Sequence, residues 1–249
     1  MVQSFNWPAI RATMHVLLRR PALAMPHIEV ADIRGLDFSQ LVEAGCQGVV
    51  FDKDNTLTYP YADDVAPEIA GALRECYDIF EGRVAVLSNS AGTLDDPGGA
   101  AADRLERTLG IPVLRRAHKK PRGFEAVRAH FGGVDPATLV MVGDRYLTDV
   151  VFGNLHGMLS IHTQQLTSRG DNRIASLMKR LEDGLLALYR WMRIRPIPHR
   201  LIDSRPGGTF LSGWLPTSKS GADADKRKRG SVLRQRSSDA QSTRSRWMR

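Results

Sequence analysis

The stretch Gly48-Val49-Val50-Phe51-Asp52-Lys53-Asp54-Asn55-Thr56-Leu57 decides how this chain is read. Its first four residues are apolar or small and have the length of a buried strand. Two carboxylates one residue apart follow at once, where such a strand ends. In open α/β sheets, ligands bind outside the carboxyl ends of the strands. An Asp-x-Asp pair there can gather a hard divalent cation and set a nucleophile beside a general acid. Asp and Asn also cap helices and shape turns, so the pair alone leaves both readings open.

Working outward, a second strand-like run, Val84-Ala85-Val86-Leu87, ends in Ser88-Asn89-Ser90. Lys119-Lys120-Pro121 precedes a helix-like stretch. Leu139-Val140-Met141-Val142 then runs into Gly143-Asp144-Arg145-Tyr146-Leu147-Thr148-Asp149. The core reads as strand 48–52, helix 67–80, strand 84–88, helix 99–109, strand 112–114, helix 122–131, strand 139–143, helix 148–157 and strand 159–163. Such alternation predicts an α/β fold, a three-layer Rossmann-like arrangement with a parallel sheet between helices.

The series Asp-x-Asp-x-Thr, a hydroxyl after a strand, a lysine, and Gly-Asp-x-x-x-Thr-Asp resembles the four motifs of the haloacid dehalogenase-like phosphohydrolases. Within that superfamily the chain is most similar to the mitochondrial phosphatidylglycerophosphate phosphatases. The matching segments are Phe51 to Leu57, Ser88-Asn89-Ser90-Ala91-Gly92, Gly110 to Arg115, Lys119-Lys120-Pro121, Gly143-Asp144-Arg145 and Thr148-Asp149-Val150. Leu23-Ala24-Met25-Pro26-His27-Ile28 adds to the likeness, which spans roughly residues 5–195.

The resemblance implies a Mg2+-dependent phosphatase that makes phosphatidylglycerol for cardiolipin synthesis through an aspartyl-phosphate. It assigns Asp52 as nucleophile and Asp54 as general acid and base. Ser88, Asn89 and Lys120 bind the phosphoryl group. Asp52, Asp144 and the backbone carbonyl of Asp54 hold the metal, with Asp149 supporting the shell or orienting the lysine. Lys120 is preferred over Lys119 because it sits directly before the proline. Lys53 and Arg145 lie within the motifs, and His118 and His156 receive no role. The resemblance also places the protein in the mitochondrial matrix, peripheral on the inner membrane, and leaves homo-oligomers open.

Spacing bears on the substrate. Only 33 residues separate Asp54 from Ser88, and 31 separate Ser88 from Lys120. One helix with its loops, or one helix and one strand, consumes each interval, so the core is expected to lack a cap domain. An open site suits a phosphate carried on something large, such as a lipid in a bilayer. A soluble sugar or nucleotide phosphate, or a phosphoprotein, is the competing substrate class. A non-catalytic RNA- or membrane-binding module is the competing reading of another kind, against which the four acidic and basic motifs speak.

Charge is unevenly spread. Residues 31–168 hold thirteen Lys/Arg against nineteen Asp/Glu, whereas 217–249 hold ten against three and 169–216 nine against four. Basic ends around an acidic body attract anionic surfaces. The expected organisation is an amphipathic or targeting segment at 1–30, the phosphatase core at 31–168, an amphipathic C-terminal helix at 169–205, and a solvated basic tail at 206–249. Residues 7–18 form an acid-poor amphipathic stretch, suited to a transit peptide or an interfacial helix. Residues 172–193 carry Ile174, Leu177, Met178, Leu181, Leu185 and Leu188 at helical spacing, which fits either an interfacial or a packed helix. The tail has too few apolar residues to offset ordering entropy, so disorder is expected. It reads as a weak attraction to anionic lipid rather than a nucleic-acid site. The uncharged run 150–168 is too polar to cross a bilayer. Cys46 and Cys76 lack metal-type spacing and suggest no disulfide framework.

Overall fold

The computed structural model describes residues 19–167 and 173–203, with side-chain surroundings omitted for 173–179 and 203. The expected helix at 7–18 and the tail beyond 206 lie outside the described residues. Five strands form one sheet: β1 (Ile28–Val30), β2 (Gly48–Phe51), β3 (Val84–Val86), β4 (Leu139–Gly143) and β5 (Leu159–Thr163). Their spatial order is β1-β5-β4-β2-β3, and every pairing is parallel. The chain leaves β2 for β3 on one side and returns to β4 on the other. The β2/β4 crevice is therefore a topological switch point, where such sheets bind ligands.

Strand alternation sorts the core onto both faces of the sheet. Val49, Phe51, Val84, Val86, Val140, Val142 and Ile161 pack toward α1 (Phe38–Glu43), α2 (Ala70–Ile79) and α3 (Ala100–Leu109). Val50, Ala85, Leu87 and Met141 point the other way, against α4 (Phe124–His130) and Phe152 of α5 (Val151–Leu155). Strands buried on both faces read as near-continuous apolar runs, as these do. Between β2 and β3 the only helix is α2, so no folded cap interrupts the core there. Local signals shape the helices: Asp96 caps α3 by accepting from Ala101 and Ala102 N–H at 2.9 Å each, and Gly110, at φ 67°, closes it.

Several expectations need correction. The 30/31 boundary divides the body, because β1 pairs with β5 and Leu23 and Ala24 are buried. Asn154 fastens this entry, its Nδ2 donating to Leu23 O and Met25 O at 2.8 Å each. The expected strand at 112–114 reduces to a single parallel bridge between Val113 and Val86. The helix expected from 148 instead opens with a π turn, Tyr146–Val150, in which Asp149 N and Val150 N both donate to Arg145 O. Helix α1 was not anticipated; Asp37 caps it by accepting from Gln40 N at 2.9 Å.

The C-terminal helix α6 (Arg173–Trp191) is present, and its described part divides the expected stripe between the two readings. Leu186 and Tyr189 are buried against Leu23, Leu147 and Val151, whereas Leu181 and Leu188 are exposed. A buried carboxylate, Glu182, shares the inner face and accepts from the Leu147 N–H. No helix among the described residues is long and apolar enough to cross a membrane.

His27 locks the two ends of the described chain together. Its Nδ1 accepts from Ser160 N at 3.0 Å, and its Nε2 donates to Ile197 O at 2.9 Å. This arrangement requires a neutral ring, and burial, followed by the His199 ring nearby, lowers its pKa from 6.5 to about 4. Above pH 6.5 the folded and unfolded rings are both neutral. As the pH falls, the unfolded chain takes up the proton first, so stability is lost between pH 6.5 and 4. The loss at pH 5 should be about 2 kcal/mol. Urea melts at pH 7 and pH 5 should show it in the wild type, while His27→Gln should lack that component of the decline.

Candidate functional site

Every expected motif residue except Lys119 converges at the carboxyl ends of β2, β3 and β4. Asp52 directly follows β2, and its N–H donates to Val142 O at 2.8 Å, tying the motif to the neighbouring strand. Asp144 follows β4. Asp149 lies on the π turn beyond, but its carboxylate folds back to accept from Arg145 N at 3.1 Å. Gly143 makes room for this return: a Cβ there would stand 2.4 Å from Asp149 Oδ2. Each of the three aspartates offers an oxygen within 4.8 Å of the others, and all three are buried.

One cation is embedded among them. The Lys120 ammonium is fully buried and lies 2.5 Å from both Asp52 Oδ1 and Asp149 Oδ1. Lys119 instead pairs with Asp95 at 2.5 Å, near the surface. The choice between the two lysines is thus one of geometry: Lys120 enters the cluster and Lys119 turns outward. Burial pushes the Asp52 carboxyl upward, Lys120 pulls it back, and Asp149 pushes it up again. Asp144 is raised well above its ordinary value by burial first, then by Asp52 and Asp149. Its Oδ1 is buried with no hydrogen-bond partner among the described residues. An orphaned carboxylate oxygen beside two more carboxylates fits a hard divalent cation, which would relieve both repulsion and desolvation.

Asp54 is oriented differently. Its Oδ1 accepts from Lys53 Nζ and from Tyr61 N, both at 3.1 Å, and its side chain is about one-third exposed. A carboxyl that reaches solvent beside a buried carboxylate has the placement a proton-transfer group requires. Ser88 is buried, and its hydroxyl oxygen accepts from Ser90 N at 3.1 Å and Ala91 N at 3.3 Å. With its lone pairs engaged, its own hydrogen points to Ser90 Oγ at 3.1 Å, a contact that a phosphoryl oxygen would replace. Asn89 spends its carbonyl on structure, accepting from Lys120 N at 2.9 Å and Arg116 Nη2 at 3.0 Å.

Sequence reading missed the supports. Arg116 joins two motif loops: it donates to Ser88 O at 2.7 Å, to Arg122 O at 3.1 Å, and to His118 O. Burial lowers its pKa to about 10, with Asp52 and Asp149 acting the other way. Gln165 Nε2 donates to Asp144 Oδ2 at 3.2 Å, and His162 Nε2 donates to Asp144 O at 3.0 Å. The available signal was position alone: His162 and Gln165 lie at the carboxyl end of a predicted parallel strand, the edge that carries the site.

A parallel sheet with an Asp-x-Asp after a central strand, a buried lysine and a second aspartate after the adjacent strand defines a phosphohydrolase core of the haloacid dehalogenase-like type. More closely, the chain belongs to the family described as mitochondrial PGP phosphatase, whose model matches residues 8–166. It is 45% identical over 201 residues to "Phosphatidylglycerophosphate phosphatase 1, chloroplastic" of Chlamydomonas reinhardtii, covering 80% of this chain and 74% of that one. It is 39% identical to the chloroplastic/mitochondrial phosphatase 1 of Arabidopsis thaliana, covering 80% of this chain but 58% of that protein. The mitochondrial phosphatidylglycerophosphatase GEP4 of Saccharomyces cerevisiae is 29% identical over 174 residues, or 68% of this chain and 93% of its own length.

Proposed function

We propose that this phosphatase removes the terminal phosphate of phosphatidylglycerophosphate, leaving phosphatidylglycerol for cardiolipin synthesis. The observation that carries this reading is the Lys120-bridged aspartate cluster at the switch point of a chain belonging to this family. An Asp52 oxygen attacks phosphorus, forming an aspartyl-phosphate as the ester P–O bond breaks. Asp54 gives its proton to the departing glycerol oxygen. It then takes a proton from water, which attacks the phosphoryl group and releases inorganic phosphate, regenerating Asp52. Lys120 and the Ser88 hydroxyl neutralise phosphoryl oxygens, with the free Asn89 amide hydrogens beside them. Mg2+ held by Asp52, Asp144 and the Asp54 carbonyl would supply further charge neutralisation. Asp149 holds the Lys120 ammonium toward the nucleophile.

The mitochondrial matrix, with peripheral attachment to the inner membrane, is the proposed location. Residues 1–18 would serve as a targeting or amphipathic segment, and 206–249 as a solvated basic extension. Phosphate release by purified protein with Mg2+ should be fast on phosphatidylglycerophosphate in mixed micelles. It should be much slower on phosphatidate, glycerol 3-phosphate, sugar phosphates and a phosphopeptide. Equal rates on glycerol 3-phosphate would favour the soluble-metabolite reading instead.

A further inference from the structure

Among the described residues, the four most exposed large apolar side chains are Trp191 (79%), Leu94 (76%), Tyr61 (69%) and Leu181 (60%). Two of these four stand on loops at the catalytic end of the sheet, and a third is next in sequence to a residue that bonds to that end. Tyr61 lies on the loop after β2, its N–H donating to the Asp54 carboxylate. Leu94 lies on the loop after β3, next to Asp95, which pairs with Lys119 beside Lys120. Leu181 precedes Glu182, whose carboxylate accepts from Leu147 N–H in the loop after β4. Leu188, Trp191 and Met192 continue the exposed row along α6. By helical geometry, Leu181, Leu188, Trp191 and Met192 share one arc of that helix, distinct from the arc of Glu182, Leu186 and Tyr189 that packs inward.

We propose that this apolar rim docks the enzyme on an anionic lipid surface with the catalytic end of its sheet facing the headgroups. The inference rests on the phosphatidylglycerophosphatase reading above and assigns the surface that would present such a substrate. Exposed large apolar side chains on loops that share one end of a sheet mark an interaction site. Their chemistry suits a bilayer interface: Leu enters the acyl boundary, and Trp and Tyr prefer the headgroup level. Charge selects the occupant. Arg180, Arg190, Arg193 and Arg195 are exposed along or just beyond α6, against a single exposed acid in that stretch, Asp183, although Arg190 is bonded to Glu29 at 2.5 Å. Symmetric pairing with a second copy would set these arginines against each other, whereas anionic headgroups complement them.

Cys46 and Cys76 are buried, so single cysteines introduced at Leu94, Leu181 or Ala129 can carry a polarity-sensitive fluorophore on the full chain. Ala129 is exposed near the end of α4, the helix that leads back to the amino edge of β4. With vesicles containing phosphatidylglycerol, the labels at 94 and 181 should shift to the blue, and salt should weaken the shift; the label at 129 should not respond. The combination Leu94→Ser, Leu181→Ser and Trp191→Ser should reduce vesicle binding about tenfold while leaving p-nitrophenyl phosphate turnover unchanged. Unshifted labels at 94 and 181, in an enzyme that hydrolyses phosphatidylglycerophosphate in micelles, would overturn the docking surface and leave the activity standing. Shifted labels without micellar turnover of that lipid would support docking and reject the activity. Blue-shifted labels without vesicles, accompanied by dimers in gel filtration, would assign the rim to a second copy and overturn the proposal.

Discussion

Asp52→Asn should abolish turnover, by about 10⁴-fold or more, while leaving the chain folded. The amide keeps nearly the shape of the carboxylate but lacks the charge that attacks phosphorus. The fold tolerates the change because Asp52 carries its charge at a cost: burial raises its pKa, and Asp149 adds repulsion. Lys120 keeps Asp149 at 2.5 Å, so the substitution strands no ammonium. Thermal melts should therefore move by only a few degrees. Asp54→Asn separates the two chemical steps, because Asp52 can still attack when the leaving group is good. That variant should be severely impaired yet accumulate phosphoenzyme from an activated ester, detectable by acid-quenched phosphate labelling. Asp52→Asn should give no label under any condition, and near-normal turnover by it would remove the nucleophile assignment.

The clustering of the candidate site residues was legible because each signal is local: a run that must be buried, followed within two residues by a polar group with no reason to be buried. Asp52, Ser88 and Asp144 all fit that pattern, and their strands lie in one parallel sheet, as expected. Lys120 follows no strand and rested on its place before Pro121, so its burial between two aspartates is a tertiary fact. Arg116 is still less visible, since nothing local distinguishes its role from that of Arg115, whose guanidinium pairs with Asp103 and Glu106 at the surface. β1 escaped notice because three residues are too few to show a period, and it becomes a strand only by pairing with β5. The face of α6 stayed open between an interfacial and a packed stripe, because periodicity alone does not say which side is buried. An apolar stripe predicts which side can be buried, but Glu182 and Tyr189 gain specific partners and space inside, so the stripe of Leu181 and Leu188 is left in solvent. Local pattern sets composition and period, while buried polar contacts fix orientation.

Lys120→Met should be the most destabilising single change in the site, and Lys119→Ala should be nearly silent. The Lys120 ammonium is fully buried between Asp52 and Asp149, so its loss leaves Asp52, Asp144 and Asp149 with no lysine bonded to them. Breaking a buried pair in this way costs about 3–5 kcal/mol, because the carboxylates lose their bonded cation and keep only the more distant pull of Arg145 and Arg116. For a chain of this size that is a fall in melting temperature of about 10 °C. Turnover should fall by about 10³-fold, since the phosphoryl oxygens lose their fixed positive charge. Mg2+ should recover part of the stability but little of the activity: a divalent cation can neutralise the carboxylates, yet it cannot stand where the Lys120 Nζ bridges Asp52 and Asp149. Lys119 and Asp95 form a pair in which each side chain is about one-third exposed, so screening limits its worth to about 1 kcal/mol or less. Scanning calorimetry with and without Mg2+, beside turnover of both variants, separates the two lysines. Comparable losses from Lys119→Ala would mean that the outward lysine also reaches the phosphoryl group, and the role given to Lys120 would have to be shared.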